Sequence, residues 1–396
     1  MKVVWICHYF NKEILSRFDN LRYKEMAPWM NELANLFADV KDIELHIVMP
    51  NSLTRKDEIW GKSNVNYYLY KFGFPFQQQQ KYNLNVFMCS KRKVRRIVDK
   101  IKPDIIHLHG TENAYYSAMV IPLLKRYPVL VTIQGFISMS TRKKGFKKII
   151  RLRRVIIEKK ILRKAKYFGV RNKYMIEIIK KLNAKAKYYG HDYGLNIPPI
   201  KYAADIEGNE YDLVFFARMT KDKGIEDFLS AVALLKKKWP NIRALIVGGA
   251  NPIYFKKIID YCEENEIDKN VVFLGNLPQN EAFKEISKAK ISVLPTYNDI
   301  VPGTIIECMF LKIPVVAYET GGLPEINENG ENIILVKRGD IKNLSEKINY
   351  LLENKLERRT LGEKGYEMVK RRYDKKRIVP GIIEAYQNII KENETN

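Results

Sequence analysis

The chain has 396 residues, is 46% hydrophobic and 11% aromatic, and carries a formal net charge of +24. Such apolar content excludes disorder, and the length exceeds one ordinary core and suits two domains. No run of eighteen apolar residues occurs, which excludes a spanning helix, and "MKVVWICHYF" opens as a strand without a signal-peptide layout, so a cytoplasmic protein is expected.

In chain order, the strand "KVVWICHYF" is followed by "YKEMAPWMNELANLF", whose Met26, Met30, Leu33, Leu36 and Phe37 recur at helical spacing, and then by the strand "IELHIVMP". Next come "VNYYLYKF", the helical "KRKVRRIVDKI", the strand "DIIHLHG", a helix near 114–127, the strand "VLVTIQG", a basic helical segment and the strand "YFGV". Strands separated by helical stretches of this length predict βαβ units and a parallel sheet. "LNIPPIKYAADIEGNEY" breaks the periodicity and reads as a linker, with "QQQQ" at Gln77–Gln80 a polar loop before it. The alternation then restarts with strands "DLVFFA", "RALIVGG", "VVFLG", "ISVLP" and "IPVVAY" and the helices between them. The expected fold class is α/β, two doubly wound Rossmann-like domains: 1–196, a linker at 197–210, and 211–374. The last helical stretch, 375–396, is left over once the second sheet is complete, and it is expected to pack back on the first domain.

Four cysteines, Cys7, Cys89, Cys262 and Cys308, show neither metal-ligand nor disulfide spacing and read as buried thiols. Arg142 to Lys166 hold thirteen Lys or Arg against one acid, Glu158, which is half of the whole charge excess. The cations there are interleaved with Ile149, Ile150, Ile156, Ile157 and Ile161 at helical spacing. A basic amphipathic helix suits an anionic membrane surface, so 141–166 is expected to seat a peripheral protein on one. A nucleic-acid partner is the competing reading of this charge. It is set aside because no nucleic-acid-binding module is present.

Doubly wound domains bind ligands at the carboxyl ends of their strands. In "FARMTKDKG", Arg218 and Lys223 follow such an end, a fork and a point charge suited to a diphosphate. The residues alone leave them equally readable as solvated loop charges. In "PTYNDIVPGTIIECMF", Asp299 lies in a polar turn, Gly303 and Thr304 open a short helix, and Glu307 follows inside its apolar run. Free N–H groups at a helix start favour anions, and a carboxylate can chelate the paired hydroxyls of a ribose. Turn former and helix-dipole partner are the ordinary uses of the same two acids.

Asp299, Pro302, Glu307 and "PVVAYETGGLPEI" resemble the acid-x7-acid signature of the retaining glycosyltransferases of family 4, which have the GT-B fold. Arg218 and Lys223 match that family's "GR(L)xxxKG" element, "IVGGA" its glycine turn at Gly248, and "VVFLGNLP" its base-contacting strand and loop at Gly275 and Asn276. "PDIIHLHG" is similar to its first-domain histidine element, and "YGLN" at Tyr193–Asn196 to the text that closes its first domain.

The resemblance implies a nucleotide-diphosphate sugar donor, UDP- or GDP-linked, held by the second domain, with the first domain on the acceptor side. Arg218 and Lys223 would neutralise the leaving diphosphate together with the N–H groups of Gly303, Thr304 and Ile305; Glu307 would hold the ribose; Asp299 and His109 would contact the transferred sugar. No cofactor and no metal are expected, since cations and helix termini fill that role. The acceptor would be a saccharide or lipid-linked saccharide in cell-surface polysaccharide or glycolipid synthesis, with a soluble-acceptor glycosyltransferase as the alternative, and a monomer is expected. The chain departs from the family in having Asp299 for the usual glutamate, Gln134 where a second histidine is common, and "HYFNKEILSRFDN" in place of a glycine-rich first loop.

Overall fold

The computed structural model describes residues 1–18, 26–51, 53–54, 56–72, 86–139, 146–192 and 209–395. The chain forms two compact units, Met1–Asn196 with Lys375–Asn396, and Ile197–Asp374. The expected linker, the "YGLN" element, the "QQQQ" loop and residues 142–145 of the basic segment lie essentially outside the described residues.

The first unit is built on eight strands: β1 (Lys2–Ile6), β2 (Glu44–Asn51), β3 (Glu58–Lys62), β4 (Val65–Lys71), β5 (Ile105–His109), β6 (Val129–Thr132), β7 (Tyr167–Val170) and β8 (Lys187–Gly190). Their order is β3-β4-β2-β1-β5-β6-β7-β8. All neighbours are parallel except β3 and β4. Strands covered on both faces read as continuous apolar runs, and β1, β5, β6 and β7 do. β3 was not legible that way, because it is an edge strand with Ile59 exposed and is held by a tight turn and by stacking of Trp60 on Tyr67 at 4.8 Å.

Three further expectations are corrected in this unit. The first long helix starts at Pro28, later than the apolar spacing suggested, since proline pre-sets the first helical turn and Ala27 before it is left-handed with φ 53°. The helix expected over 114–127 is one α turn, Ala114–Ser117, running into a 3₁₀ turn and then irregular turns. Cys89, on the helix Val86–Ile101, is exposed, whereas Cys7, Cys262 and Cys308 are buried.

The chain's last helix, Lys375–Glu394, belongs to this unit. Ile378, Ile382, Tyr386 and Ile389 enter the core around Trp5 and Phe37. The Trp5 indole N–H donates to the Tyr386 hydroxyl at 3.0 Å, which also meets His107 Nδ1 at 2.6 Å. A four-residue periodicity puts these apolar side chains on one stripe, which is why the helix buries there although it follows the other unit in sequence.

The second unit has six parallel strands, β9 (Tyr211–Phe216), β10 (Ala244–Val247), β11 (Val271–Gly275), β12 (Ala289–Leu294), β13 (Val315–Tyr318) and β14 (Ile334–Val336), in the order β11-β10-β9-β12-β13-β14. The chain runs outward from β9 to β11 and then returns to the other side of β9 with β12. Connections therefore diverge between β9 and β12, and at such a switch point the strand ends leave room for a ligand.

Candidate active site

β9 ends at Phe216, and Arg218 follows on the turn with its side chain exposed. A 3₁₀ turn, Lys221–Lys223, then closes on Gly224 at φ 74°. A Cβ at Gly224 would lie 1.9 Å from the Pro295 carbonyl oxygen, so only glycine lets this turn rest on the chain leaving β12. The contact is completed by the Tyr297 N–H and the Thr296 hydroxyl, which donate to the Asp222 carbonyl at 2.9 and 3.1 Å.

Two segments 76 residues apart are thereby placed so that Lys223 Nζ donates to Asp299 Oδ2. Both side chains are about one-fifth exposed, and Thr296 Oγ1 lies 3.3 Å from the same oxygen, its one hydrogen shared between that carboxylate and the Asp222 carbonyl. From the other side, Gly321 sits at φ 57°, where a Cβ would be 1.7 Å from the Asp299 carbonyl oxygen, and the Gly322 N–H donates to Ile300 O at 2.7 Å. The acid and the cation expected to serve different parts of one ligand are thus each other's partners here. Low exposure strengthens that pairing, since each charge lacks full hydration.

A deeper layer fixes the same loop. Asp227 Oδ2 accepts hydroxyl hydrogens from Tyr297 and Tyr318, both at 2.6 Å. Asp227 lies in the first turn of the helix Ile225–Lys236, immediately after Gly224. Burial, with the adjacent Asp227 carboxylate, pushes the Tyr297 hydroxyl up to about 12, so it stays a donor.

After β12 the helix Gly303–Phe310 begins behind Pro302. Glu307 falls in its second turn, half-buried, and Gln279 Nε2 donates to its Oε1 at 3.0 Å. Desolvation pushes the Glu307 carboxyl up to about 7, against a smaller lowering by the Gln279 amide. Thr304 and Ile305 occupy the first turn, with the Ile305 N–H donating to Pro302 O at 3.1 Å. Gly248, at φ 142°, donates its N–H to Gly275 O at 2.7 Å, and the Asn276 amide packs against Gly249. Arg218, Lys223, Gly248, Gly275, Asn276, Asp299, Gly303–Ile305 and Glu307 therefore all lie at the carboxyl ends of one sheet, as the alternation of strands implied. Gln279, Asp227, Tyr297 and Thr296 were missed. Their polar type, in the loop after β12 for Thr296 and Tyr297 and in the first turn of a helix for Asp227 and Gln279, was the only available signal.

His109 belongs to the first unit. It ends β5, is 1% exposed, and has its ring centre 3.7 Å from that of His107, tilted, and 4.6 Å from that of Trp5, edge-on. Burial, with His191 adding to it, holds it well below the ordinary histidine range, so the ring is neutral. Its two ring nitrogens have no hydrogen-bond partner among the described residues.

Residues 197–368 match the family of glycosyl transferases group 1, and residues 28–187 match glycosyltransferase family 4. The chain belongs to the group 1 glycosyltransferases. Among relatives, this glycosyltransferase is 26% identical over 188 residues to the capsular polysaccharide biosynthesis glycosyltransferase CapM of Staphylococcus aureus, covering 46% of the chain and about half, 47%, of CapM. Among solved structures, a sucrose-phosphate synthase from Thermosynechococcus elongatus superposes with a TM-score of 0.77 at 17% identity, covering 99% of both chains. Anabaena HepE in complex with UDP superposes with a TM-score of 0.68 at 15% identity, over 98% of this chain and 100% of that one. At these identities the likeness establishes the GT-B type of fold.

Proposed function

We propose that this glycosyltransferase moves a sugar, with retention of anomeric configuration, from a UDP- or GDP-linked donor to a saccharide or lipid-linked saccharide acceptor in cell-surface polysaccharide or glycolipid synthesis. The observation that carries the reading is the placement of Arg218, the Lys223–Asp299 pair and Glu307 together at the carboxyl edge of the second unit's sheet. CapM's name and the UDP in HepE support the acceptor and donor classes.

In this mechanism the donor's ribose hydroxyls donate to Glu307, and the diphosphate lies over Arg218, Lys223 and the start of the helix Gly303–Phe310. Lys223 turns from Asp299 to the phosphate, which frees Asp299 to accept a hydroxyl of the donor sugar. The bond from the anomeric carbon to phosphate oxygen breaks as the acceptor oxygen bonds to that carbon from the same face. The acceptor's proton passes to the departing phosphate. Negative charge on the diphosphate grows along this path, so the two cations act more on the transition state than on the ground state. That supports transfer without a divalent metal.

The membrane part of the proposal rests on the helix Phe146–Lys164. At 3.6 residues per turn it has two faces. Ile161, Leu162 and Ala165, just past the helix, are buried, while Ile149, Leu152 and Ile156 are 48–55% exposed on the opposite side. Exposed Lys160, Arg163 and Lys164 flank that stripe. Each cation near anionic lipid contributes about 1 kcal/mol, and the apolar stripe enters the headgroup boundary. No described helix is long and apolar enough to cross a membrane. The expected location is the inner face of the cytoplasmic membrane, with the protein acting as a monomer. The overall reading is tested by a thermal-shift panel of UDP-, GDP- and ADP-sugars in EDTA; it requires a melting-temperature rise with one UDP- or GDP-sugar, and no response to any of them contradicts it.

A further inference from the structure

The single acid of the basic segment, Glu158, is turned inward and is fully buried. Its carboxylate accepts the Ser138 backbone N–H at 3.1 Å and the Ser138 hydroxyl at 3.0 Å. One turn and two turns earlier on the same helix face, Arg154 donates to Glu112 O at 2.6 Å and to Asn113 Oδ1 at 3.1 Å, and Arg151 donates to Ile137 O and Ser138 O at 3.2 and 3.3 Å. Glu112 in turn accepts the N–H groups of Gln134 and Gly135, both at 2.7 Å, and Arg171 donates to Gln134 O at 3.3 Å. Four charged side chains thus hold six main-chain groups of one loop, 133–139, which follows β6.

An ordinary surface loop satisfies its main chain with water and needs no buried acids. Here desolvation pushes Glu158 up to about 7 and Glu112 in the same direction, and the two carboxylates repel each other, with Arg154 facing both. Those are unfavourable terms for the fold, and what they secure is the shape of a single loop. The loop lies at the carboxyl end of the first unit's sheet, one strand beyond the divergence between β1 and β5, where sheets of this type receive ligands. A ligand-binding loop has to be held to within fractions of an ångström by such a supporting layer.

We propose that Glu158 and Glu112 are positioning residues that hold loop 133–139 in the shape that receives the acceptor saccharide. Glu158 sits on the basic helix, so the seating of that helix and the shape of the loop are one rigid feature. This rests on the reading that the first unit takes the acceptor.

The test compares Glu158→Leu with Glu158→Gln in the full-length protein, measuring acceptor KM, donor KM and slow donor hydrolysis without acceptor. Loss of a charged hydrogen-bond pair is expected to raise acceptor KM at least about tenfold in Glu158→Leu, with donor KM and hydrolysis unchanged. Glu158→Gln keeps the volume and an accepting oxygen and is expected to stay within about threefold. Unchanged acceptor KM in a folded Glu158→Leu protein, or a parallel rise in donor KM, overturns the proposal. If Glu158→Leu does not fold, Ser138→Ala removes only the hydroxyl half of the anchor and is expected to raise acceptor KM about threefold; no change overturns the proposal. Wild-type protein that transfers no sugar from any UDP- or GDP-sugar to a saccharide acceptor overturns the glycosyl-transfer reading itself, whereas active wild type with indifferent variants overturns the positioning role alone.

Discussion

If Glu307 anchors the ribose as proposed, donor binding should weaken as pH falls through neutrality, because burial raises this carboxyl into that range. Glu307 is pushed up to about 7 by desolvation, with Gln279 its hydrogen-bonding neighbour. Only the ionised form offers both oxygens to a ribose diol. With a pKa near 7, about 90% of the sites are ionised at pH 8 and about 10% at pH 6, so the apparent Kd for a sugar nucleotide should rise close to tenfold over that interval. A diphosphate sugar has no terminal phosphate that titrates in this range, so the change belongs to the protein. Calorimetric titration at pH 6, 7 and 8 measures it, and Glu307→Gln should abolish the slope. The stability sign is opposite: a carboxyl raised from its ordinary value stabilises the fold most at low pH, and this contribution is lost as pH rises through about 7. Glu307→Gln should therefore melt no lower than wild type at pH 8 while losing transfer. A flat Kd across the three pH values, or an unaltered slope in Glu307→Gln, refutes the assignment.

Arg218→Ala and Lys223→Ala should each lower kcat more than they raise KM, and the double variant should lose less than the product of the two effects, since both act on one diphosphate; an effect confined to KM demotes the residue to donor binding. Tyr297→Phe removes one of the two hydroxyls on buried Asp227 and should cost about 1.5–3 kcal/mol of unfolding free energy in urea titrations, with kcat falling as the Asp299 loop loosens; a wild-type midpoint and rate would remove Asp227 from the account. Changing Ile149, Leu152 and Ile156 together to Ser should abolish flotation with anionic liposomes while donor affinity holds; this variant spares Arg151 and Arg154, which are bonded to main chain of the first unit, and undiminished flotation leaves the helix as scaffold.

Much of the fold was legible because buried parallel strands are short, apolar and rich in branched residues, as "DLVFFA" and "IPVVAY" are. Edge elements were not. β3 has polar text because it faces solvent, and Pro28 shortened a helix whose apolar spacing continued upstream. The candidate site residues could be placed at the carboxyl edge of the second sheet because they follow strand ends, yet their pairing could not be read. Nothing in local sequence tells that Lys223 reaches Asp299, since that depends on Gly224 and Gly321 letting three backbone segments touch. The inward turn of Glu158 was equally hidden. A lone acid among cations looks like surface until the helix is rotated onto its sheet.

Lys223, Asp299 and Glu307 are proposed to form a sugar-nucleotide site within the second unit. Calorimetry with the sugar nucleotide that stabilises the wild type tests it most directly, using wild type, Glu307→Ala and Lys223→Ala in EDTA. One site per chain is expected in the wild type and at least about tenfold weaker binding in Glu307→Ala, with both variants melting cooperatively. Equal affinities in all three proteins, or binding that requires an added divalent metal, would contradict it.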